Sequence, residues 1–361
     1  MSNPTKQDAI KLLDVFDPEM ATLLHREEKR QFETIGLIAS ENVVSPMASC
    51  LEGSAFTNKN TEGYAGKRFV GGCQLADQAE LLAVERVKLA FGVDHANIQC
   101  GNATIANVAV LRAFLKPGDT FMGLTLDNGG HLSHGAKFHF SGAMFNAVHY
   151  GVSRETEMID MDEVHRLALE NKPKLICVGA SSYPRLIDYK RFREICDEVG
   201  AYFWVDCAHD CGLIAGGAIP SPVEYAHVIT FSTQKTLRGP RGCGVILVCK
   251  DIEIPDGKNK DGSPKYTKLS LKIDRSVFPR LQGGPKGDML AARGVLFYEL
   301  LQPEFKEYAK QVCKNAKALA KGCADEGMRL ITGGTDTHMV MIDVTPLGVN
   351  GLEAVHAQGG H

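Results

Sequence analysis

The chain has 361 residues, 44% of them hydrophobic and 23% charged, with a formal net charge of −3. That composition suits a globular protein with one large core and a smaller one, and the charge leaves no electrostatic footprint for nucleic acid or an anionic membrane. No apolar run approaches the roughly 20 residues that a membrane-spanning helix needs.

Residues 1–30 read as a polar N-terminal helical arm. Its first stretch, "MSNPTKQDAIKLLDVFDPEM", lacks the apolar centre of a secretory signal. Residues 31–285 read as a large domain in which short apolar runs alternate with amphipathic ones. "DTFMGL", "KLICVGA", "YFWVDC", "HVITFS" and "CGVILVC" predict strands. "DQAELLAVERVKLAFG", "MDEVHRLALE" and "KRFREICDEVG" predict helices between them. Near-continuous apolar strands alternating with helices predict an α/β fold, a mostly parallel sheet covered on both faces. "IQCGNATIANVAVLRAFL" (98–115) predicts a strand, a Gly-Asn turn and a helix whose start offers backbone N–H groups to a phosphate. The polar segment 250–275 reads as an excursion on the surface. From Lys286 the pattern changes to two long helices followed by two strand-like pieces, "MRLITG" and "HMVMIDVT". Residues 286–361 therefore read as a smaller α+β domain, unfinished at His361, and a truncated chain is the expected explanation.

Eleven cysteines, scattered through apolar stretches, suggest reduced thiols and a cytoplasmic location. "DCAHDC" (206–211) has metal-ligand residue types but no second ligand pair further along, so no metal is expected.

The strongest chemical signal lies at the predicted strand ends, where open α/β sheets bind ligands. Asp206 and His209 end one strand, Lys235 another, and Ser181 and Ser182 a third. A lysine and a carboxylate at neighbouring strand ends suit pyridoxal phosphate. The lysine bonds covalently to its aldehyde, and the carboxylate keeps its ring nitrogen protonated. An ordinary salt bridge is the alternative. His131, in "LDNGGHLSHG", is placed to stack on a flat ring or to serve as a structural histidine. No G-x-G-x-x-G or Walker pattern is present, which removes the usual nucleotide readings.

Seven stretches together resemble the serine hydroxymethyltransferases. They are "LIASEN" (37–42), "TNKNTEGYAGKR" (57–68), "GGHLSHG" (129–135), "VDCAH" (205–209), "QKTLRGPRG" (234–242), "FPRLQGGP" (278–285) and "PEFKEYAKQVCKNAKAL" (303–319). The resemblance implies a pyridoxal-phosphate transferase of fold type I, with a seven-stranded-type sheet and a smaller C-terminal domain. It also implies tetrahydrofolate as co-substrate and a homodimer with shared active sites, with pairing into a tetramer left open. At the matching positions, Lys235 holds the cofactor, Asp206 binds its ring nitrogen, His131 stacks on the ring, and Ser181 and His209 contact its phenolic side. Asn102, Ala103, Thr104 and Gln234 stand at further cofactor-binding positions. Gly283 and Gly284, from a neighbouring subunit, bind phosphate. Ser40 touches the substrate carboxylate, Glu62 (also from the partner) moves protons at the substrate hydroxyl, and Arg241 tunes the lysine.

The departures from the family pattern cluster around the site. "TNKYAEGY" is here "TNKNTEGY" and "GKRYYGG" is "GKRFVGG", so Asn60 and Val70 replace two tyrosines. "HSG" has become "GNA" (101–103), a histidine before the lysine has become Gln234, and another before "GGH" has become Asn128. Asn102, Thr104 and Gln234 still hydrogen-bond a phosphate. Loss of two aromatic rings implies a roomier donor pocket, and 2-methylserine, interconverting with D-alanine, is the simplest substrate that would use it. A folate-independent aldolase or transaldolase, and ordinary serine/glycine exchange, are the alternatives.

Overall fold

The computed structural model describes residues 6–357. Seven strands form the central sheet: β1 (His95–Asn97), β2 (Thr120–Leu124), β3 (Asn146–Tyr150), β4 (Leu175–Val178), β5 (Tyr202–Asp206), β6 (Val228–Ser232) and β7 (Gly244–Val248), in the order β1-β7-β6-β5-β4-β2-β3. β7 pairs antiparallel with both its neighbours, and every other pairing is parallel. This is the mostly parallel, helix-covered sheet expected from the sequence.

The apolar strand runs have a direct physical cause. Successive side chains leave a strand on opposite faces, so a strand covered on both sides needs apolar residues at every position. In β4, Leu175 and Cys177 join one buried cluster while Ile176 and Val178 join the other. Trp204 and Phe203 divide in the same way in β5. Full burial of each large side chain contributes about 1.5–3 kcal/mol before entropy is counted.

One face is covered by α1 (Ala103–Phe114) and by the helix Leu269–Val277, through Ala106, Val110, Leu269, Ile273 and Val277. The other is covered by Gln74–Phe91, Met161–Asn171, Tyr189–Val199 and Gly287–Glu299. The expected helices therefore form within a few residues of their predicted ends. Gly287–Glu299 lies just past the expected domain boundary. It packs on Gln74–Phe91 and sends Leu290, Leu296 and Phe297 into the same cluster as the sheet.

Three details differ from the sequence reading. The strand expected at 98–100 ends at Asn97, because the Asn97 side chain accepts the Gln99 N–H at 3.0 Å and the Gln99 amide donates to Glu80 and to the Gly63 carbonyl. β3, "NAVHY", was not anticipated. It is an edge strand with a mixed polar pattern and lacks the continuous apolar signal. The segment 250–275 is not all surface excursion. A hairpin, Glu253–Lys258 with Pro264–Lys268, is followed by a helix whose i, i+4 apolar residues Leu269, Ile273 and Val277 are fully buried.

The expected N-terminal arm forms helices Lys6–Phe16 and Pro18–Glu33, its residues 1–5 lying outside the described residues. The two strand-like pieces near the C-terminus pair as Arg329–Leu330 with Ile342–Asp343. Among the described residues, no helix is long and apolar enough to cross a membrane.

Candidate active site

The carboxyl ends of β4, β5 and β6 and the start of α1 converge on one cavity. Asn102, Ala103, Thr104, His131, Ser181, Asp206, His209, Gln234 and Lys235 all line it. Nine of the residues singled out in the sequence are thus brought together from five separate chain segments.

Asp206, the last residue of β5, is buried. Its Oδ2 accepts hydrogen bonds from Asn107 Nδ2 at 2.7 Å and His134 Nε2 at 3.0 Å, and its Oδ1 accepts the Ala208 N–H at 3.0 Å. His134 Nδ1 accepts the His131 backbone N–H at 3.2 Å, which fixes the His134 proton on Nε2, facing Asp206. Burial alone would raise the Asp206 carboxyl. The hydrogen bond from His134, with His131 and Lys235 nearby, outweighs burial and holds it well below the usual carboxylate range.

Asn107 also donates to Ser133 Oγ at 2.8 Å, and Ser133 Oγ in turn donates to His131 Nδ1 at 2.7 Å. The His131 ring is therefore held in one orientation with its proton on Nε2. Burial lowers its basicity and keeps it neutral. His131, His134 and Asp206 bring metal-ligand atom types within 4.8 Å of one another. Those of His134 and Asp206 are already paired in this network, so the cluster is a donor–acceptor chain and not a set of converging lone pairs. Cys207 and Cys211 of "DCAHDC" lie in the apolar core.

Lys235 follows β6 in a loop held from several sides. The Arg238 N–H bonds the Lys235 carbonyl at 3.0 Å, with Arg238 itself in the left-handed region at φ 60°. Asn42 Nδ2 donates to the same carbonyl at 3.0 Å, and Thr236 Oγ1 donates to the His209 carbonyl at 2.6 Å. Burial lowers the basicity of the Lys235 amine, Asp206 and Asp210 oppose that, and Arg241 adds to it. A neutral, nucleophilic amine is therefore closer to hand than on a free lysine. Gly179, at the end of β4, has φ +144°, and a Cβ there would lie 2.2 Å from the Asp206 carbonyl oxygen. Only glycine lets these two strand ends approach so closely.

The end of the cavity at α1 combines main-chain N–H groups with side-chain amides. Asn102 caps α1, its Oδ1 accepting the Ile105 N–H at 2.9 Å. The first-turn amides of Ala103 and Thr104 have no acceptor within the helix. Among the described residues, the buried amide oxygens of Gln234 and Asn107 have no hydrogen-bond partner, so both could accept a donor from an occupant.

The remaining candidates do not line this cavity. Asn60, Glu62 and Gly284 form a separate group: Asn60 Oδ1 accepts the Glu62 N–H at 3.0 Å, and a Cβ on Gly284 would meet both residues near 3.1 Å. Val70 is tied to the same region through Cys73, whose Sγ reaches the carbonyls of Asn60 and Val70 at 3.4 Å. Gly283 and Arg241 are exposed and Ser40 is half-buried. Sequence reasoning missed Asn107, Ser133 and His134. Asn107 was detectable as the one polar residue in the apolar run 105–111, and His134 as the second histidine in "GGHLSHG".

The depressed Asp206 carboxyl has a stability consequence with a definite sign. An unfolded aspartate titrates near 3.9, so the stabilisation is fully present above that value and is lost as pH falls toward the lower folded value. The cofactor-free thermal midpoint of the wild type should exceed that of Asp206→Asn by a constant margin from about pH 8 to about pH 5, and the margin should shrink below about pH 4. A margin that widens toward acid would contradict this account of the carboxyl.

Residues 13–359 match the family model described as serine hydroxymethyltransferase. The chain is 52% identical over 338 residues to the serine hydroxymethyltransferase of Coprothermobacter proteolyticus, covering 94% of this chain and 77% of that protein. It is 49% identical over 359 residues to that of Koribacter versatilis, covering 99% and 79%. It is 52% identical over 338 residues to that of Zymomonas mobilis, covering 94% and 75%.

Proposed function

The chain belongs to the serine hydroxymethyltransferase family, pyridoxal-phosphate enzymes with tetrahydrofolate as co-substrate, and from that premise we propose that it moves its one-carbon unit from 2-methylserine in preference to serine. The observation that carries the finer reading is the loss of two tyrosines from the family pattern, at Asn60 and Val70. Asn60 accepts the N–H of Glu62, the proposed proton-transfer group, and Val70 is tied to Asn60 through Cys73.

The residues of the cavity fit the cofactor. Bound there, the cofactor supplies an electron sink for the bond to be broken at the α-carbon. Lys235 would hold its aldehyde carbon. Asp206, kept ionised, would retain a proton on the ring nitrogen, and His131 would lie against the ring as a neutral, immobilised imidazole. Ser181 and His209 would face the phenolic oxygen. The amides of Ala103 and Thr104, with Asn102 and Gln234, would receive the phosphate, joined by the partner subunit's Gly283 and Gly284. Ser40 would meet the substrate carboxylate. Glu62 of the partner subunit would take and return the hydroxyl proton, and Arg241 would bias Lys235 toward its neutral form.

Asn60, Glu62, Val70, Gly283 and Gly284 lie outside the cavity of their own chain, so this reading requires a homodimer in which each chain completes the other's site. Eleven free cysteines, eight of them buried, support the proposal of a reducing, cytoplasmic setting.

The test is one-carbon release from L-serine and from 2-methylserine, each with and without tetrahydrofolate, for the wild type and for Asn60→Tyr/Val70→Tyr. The expected outcome is folate-dependent turnover favouring 2-methylserine, with the double variant losing at least about ten-fold more activity on that donor than on serine. One methyl group in an apolar pocket is worth about 10–200-fold. Equal losses on both donors would assign the chain to ordinary serine exchange. Release without folate would assign it to an aldolase.

A further inference from the structure

His209 lines the cofactor cavity, and its Nδ1 lies 3.5 Å from Nε2 of His338. The two rings are stacked, with centroids 5.6 Å apart and planes inclined by 19°. Nδ1 of His338 in turn lies 3.8 Å from Oδ1 of Asp210. Both of those atoms are buried and, among the described residues, neither has a hydrogen-bond partner. A buried polar atom left unpaired is destabilising, and here two complementary ones face each other. Asp210 also lines a second, narrow cavity with room for about one water, together with Arg185, Tyr189 and Thr337.

We propose that Asp210, His338 and His209 form a proton relay between this second cavity and the cofactor cavity, with Asp210 as a positioning residue that decides whether His209 offers the cofactor a hydrogen-bond donor or an acceptor. The proposal rests on the assignment of the Lys235 cavity to the cofactor. With Asp210 protonated, its O–H donates to His338 Nδ1, His338 Nε2–H donates to His209 Nδ1, and His209 carries its proton on Nε2, the nitrogen not committed to His338. With Asp210 ionised, the carboxylate accepts from His338 Nδ1–H, His338 Nε2 accepts from His209 Nδ1–H, and His209 Nε2 bears a lone pair. The two states differ by one proton. Release of that proton from His209 Nε2 moves each shared proton one place along the chain and leaves the negative charge on Asp210.

The charged and titratable groups around the relay leave this switch in range. Asp210 feels Lys235, which follows β6, and Asp206 at the end of β5. Tyr189, Cys207, Cys211 and Cys313 feel Asp210 in turn, and the Ala39 carbonyl meets His338. Burial, countered by Lys235 and reinforced by Asp206, raises the Asp210 carboxyl to about 7. Burial lowers His338 to about 4 and His209 to about 3, so both rings stay neutral while Asp210 titrates.

The test is the pH dependence of the ring ¹⁵N shifts of His209 and His338 in the full chain, cofactor-stripped and cofactor-loaded, alongside the bound cofactor's absorbance. In the wild type both rings should exchange tautomers together with one midpoint near 7. In Asp210→Asn that step should vanish from both rings and from the absorbance, with the remaining absorbance steps kept. In His338→Gln, Asp210 still titrates and the His209 step should vanish alone. Two histidines moving with separate midpoints, or a step that survives in Asp210→Asn, would overturn the relay. Because the stripped chain reports on the relay without the cofactor, failure of Lys235 to capture the cofactor would count against the functional assignment alone.

Discussion

Asp206→Asn should still capture the cofactor at Lys235 but lose on the order of 10⁴-fold in kcat. That is the scale set by replacing a buried orienting carboxylate with its amide, and it amounts to about 5 kcal/mol of transition-state stabilisation. The hydrogen bonds explain why the amide is a poor substitute. Asn107 and His134 both donate to Oδ2, so the amide oxygen of an asparagine must turn toward them. Its NH₂ then takes the place of Oδ1, where it meets the Ala208 N–H. Two donors face each other there, and the ring nitrogen finds no charged acceptor to keep its proton. Turnover with folate, read beside the absorbance of the bound cofactor, checks this. Activity within about ten-fold of the wild type would mean that Asp206 is not the group that holds the ring nitrogen.

Much of this arrangement was legible because strand ends are readable. A buried strand advertises itself as an unbroken apolar run, and its polar successor falls at the rim of the sheet. That is why Asp206, Lys235 and Ser181 could be placed near one another from the sequence. The second layer was harder to see. Asn107 joins the cavity's hydrogen-bond network only because helix α1 turns it toward Asp206 and Ser133, a fact of rotation that an apolar sequence with one asparagine hints at but does not specify. Asp210 and His338 are separated by 128 positions and meet only because the segment after Gly333 folds back over the end of β5. Asp210 lies within "DCAHDC", a pattern that points to its cysteines and not to His338, and His338 itself carries no motif.

The edge strand β3 was missed for the opposite reason. With one side open to solvent it lacks the continuous apolar run that marks its neighbours. The hairpin and helix in 250–275 were lost to composition. Lysines and aspartates dominate the average there, while the three residues that matter, Leu269, Ile273 and Val277, are spaced for a helix face and fully buried. A local average hides a sparse periodic signal.

The placement of Asn60, Glu62, Val70 and Gly284 away from Lys235 of the same chain leads to the most demanding expectation. If each site combines Lys235 of one chain with Glu62 of the other, then Lys235→Ala and Glu62→Gln are each nearly inactive as pure homodimers. Dissociated together and reassembled in equal amounts, they should recover roughly a quarter of the wild-type activity. In a mixed dimer, one site receives both defects. The other receives the intact lysine of the Glu62→Gln chain and the intact glutamate of the Lys235→Ala chain. Random pairing makes half the dimers mixed, and one of the two sites in each is whole. Serial mixing ratios, with turnover measured after reassembly, give a parabola peaking at equal amounts. A flat response at the level of the pure variants would place Glu62 and Lys235 in the same site of the same chain. It would also leave Asn60 and Val70 with no route to the donor, and the enlarged-pocket reading would fall with the shared site.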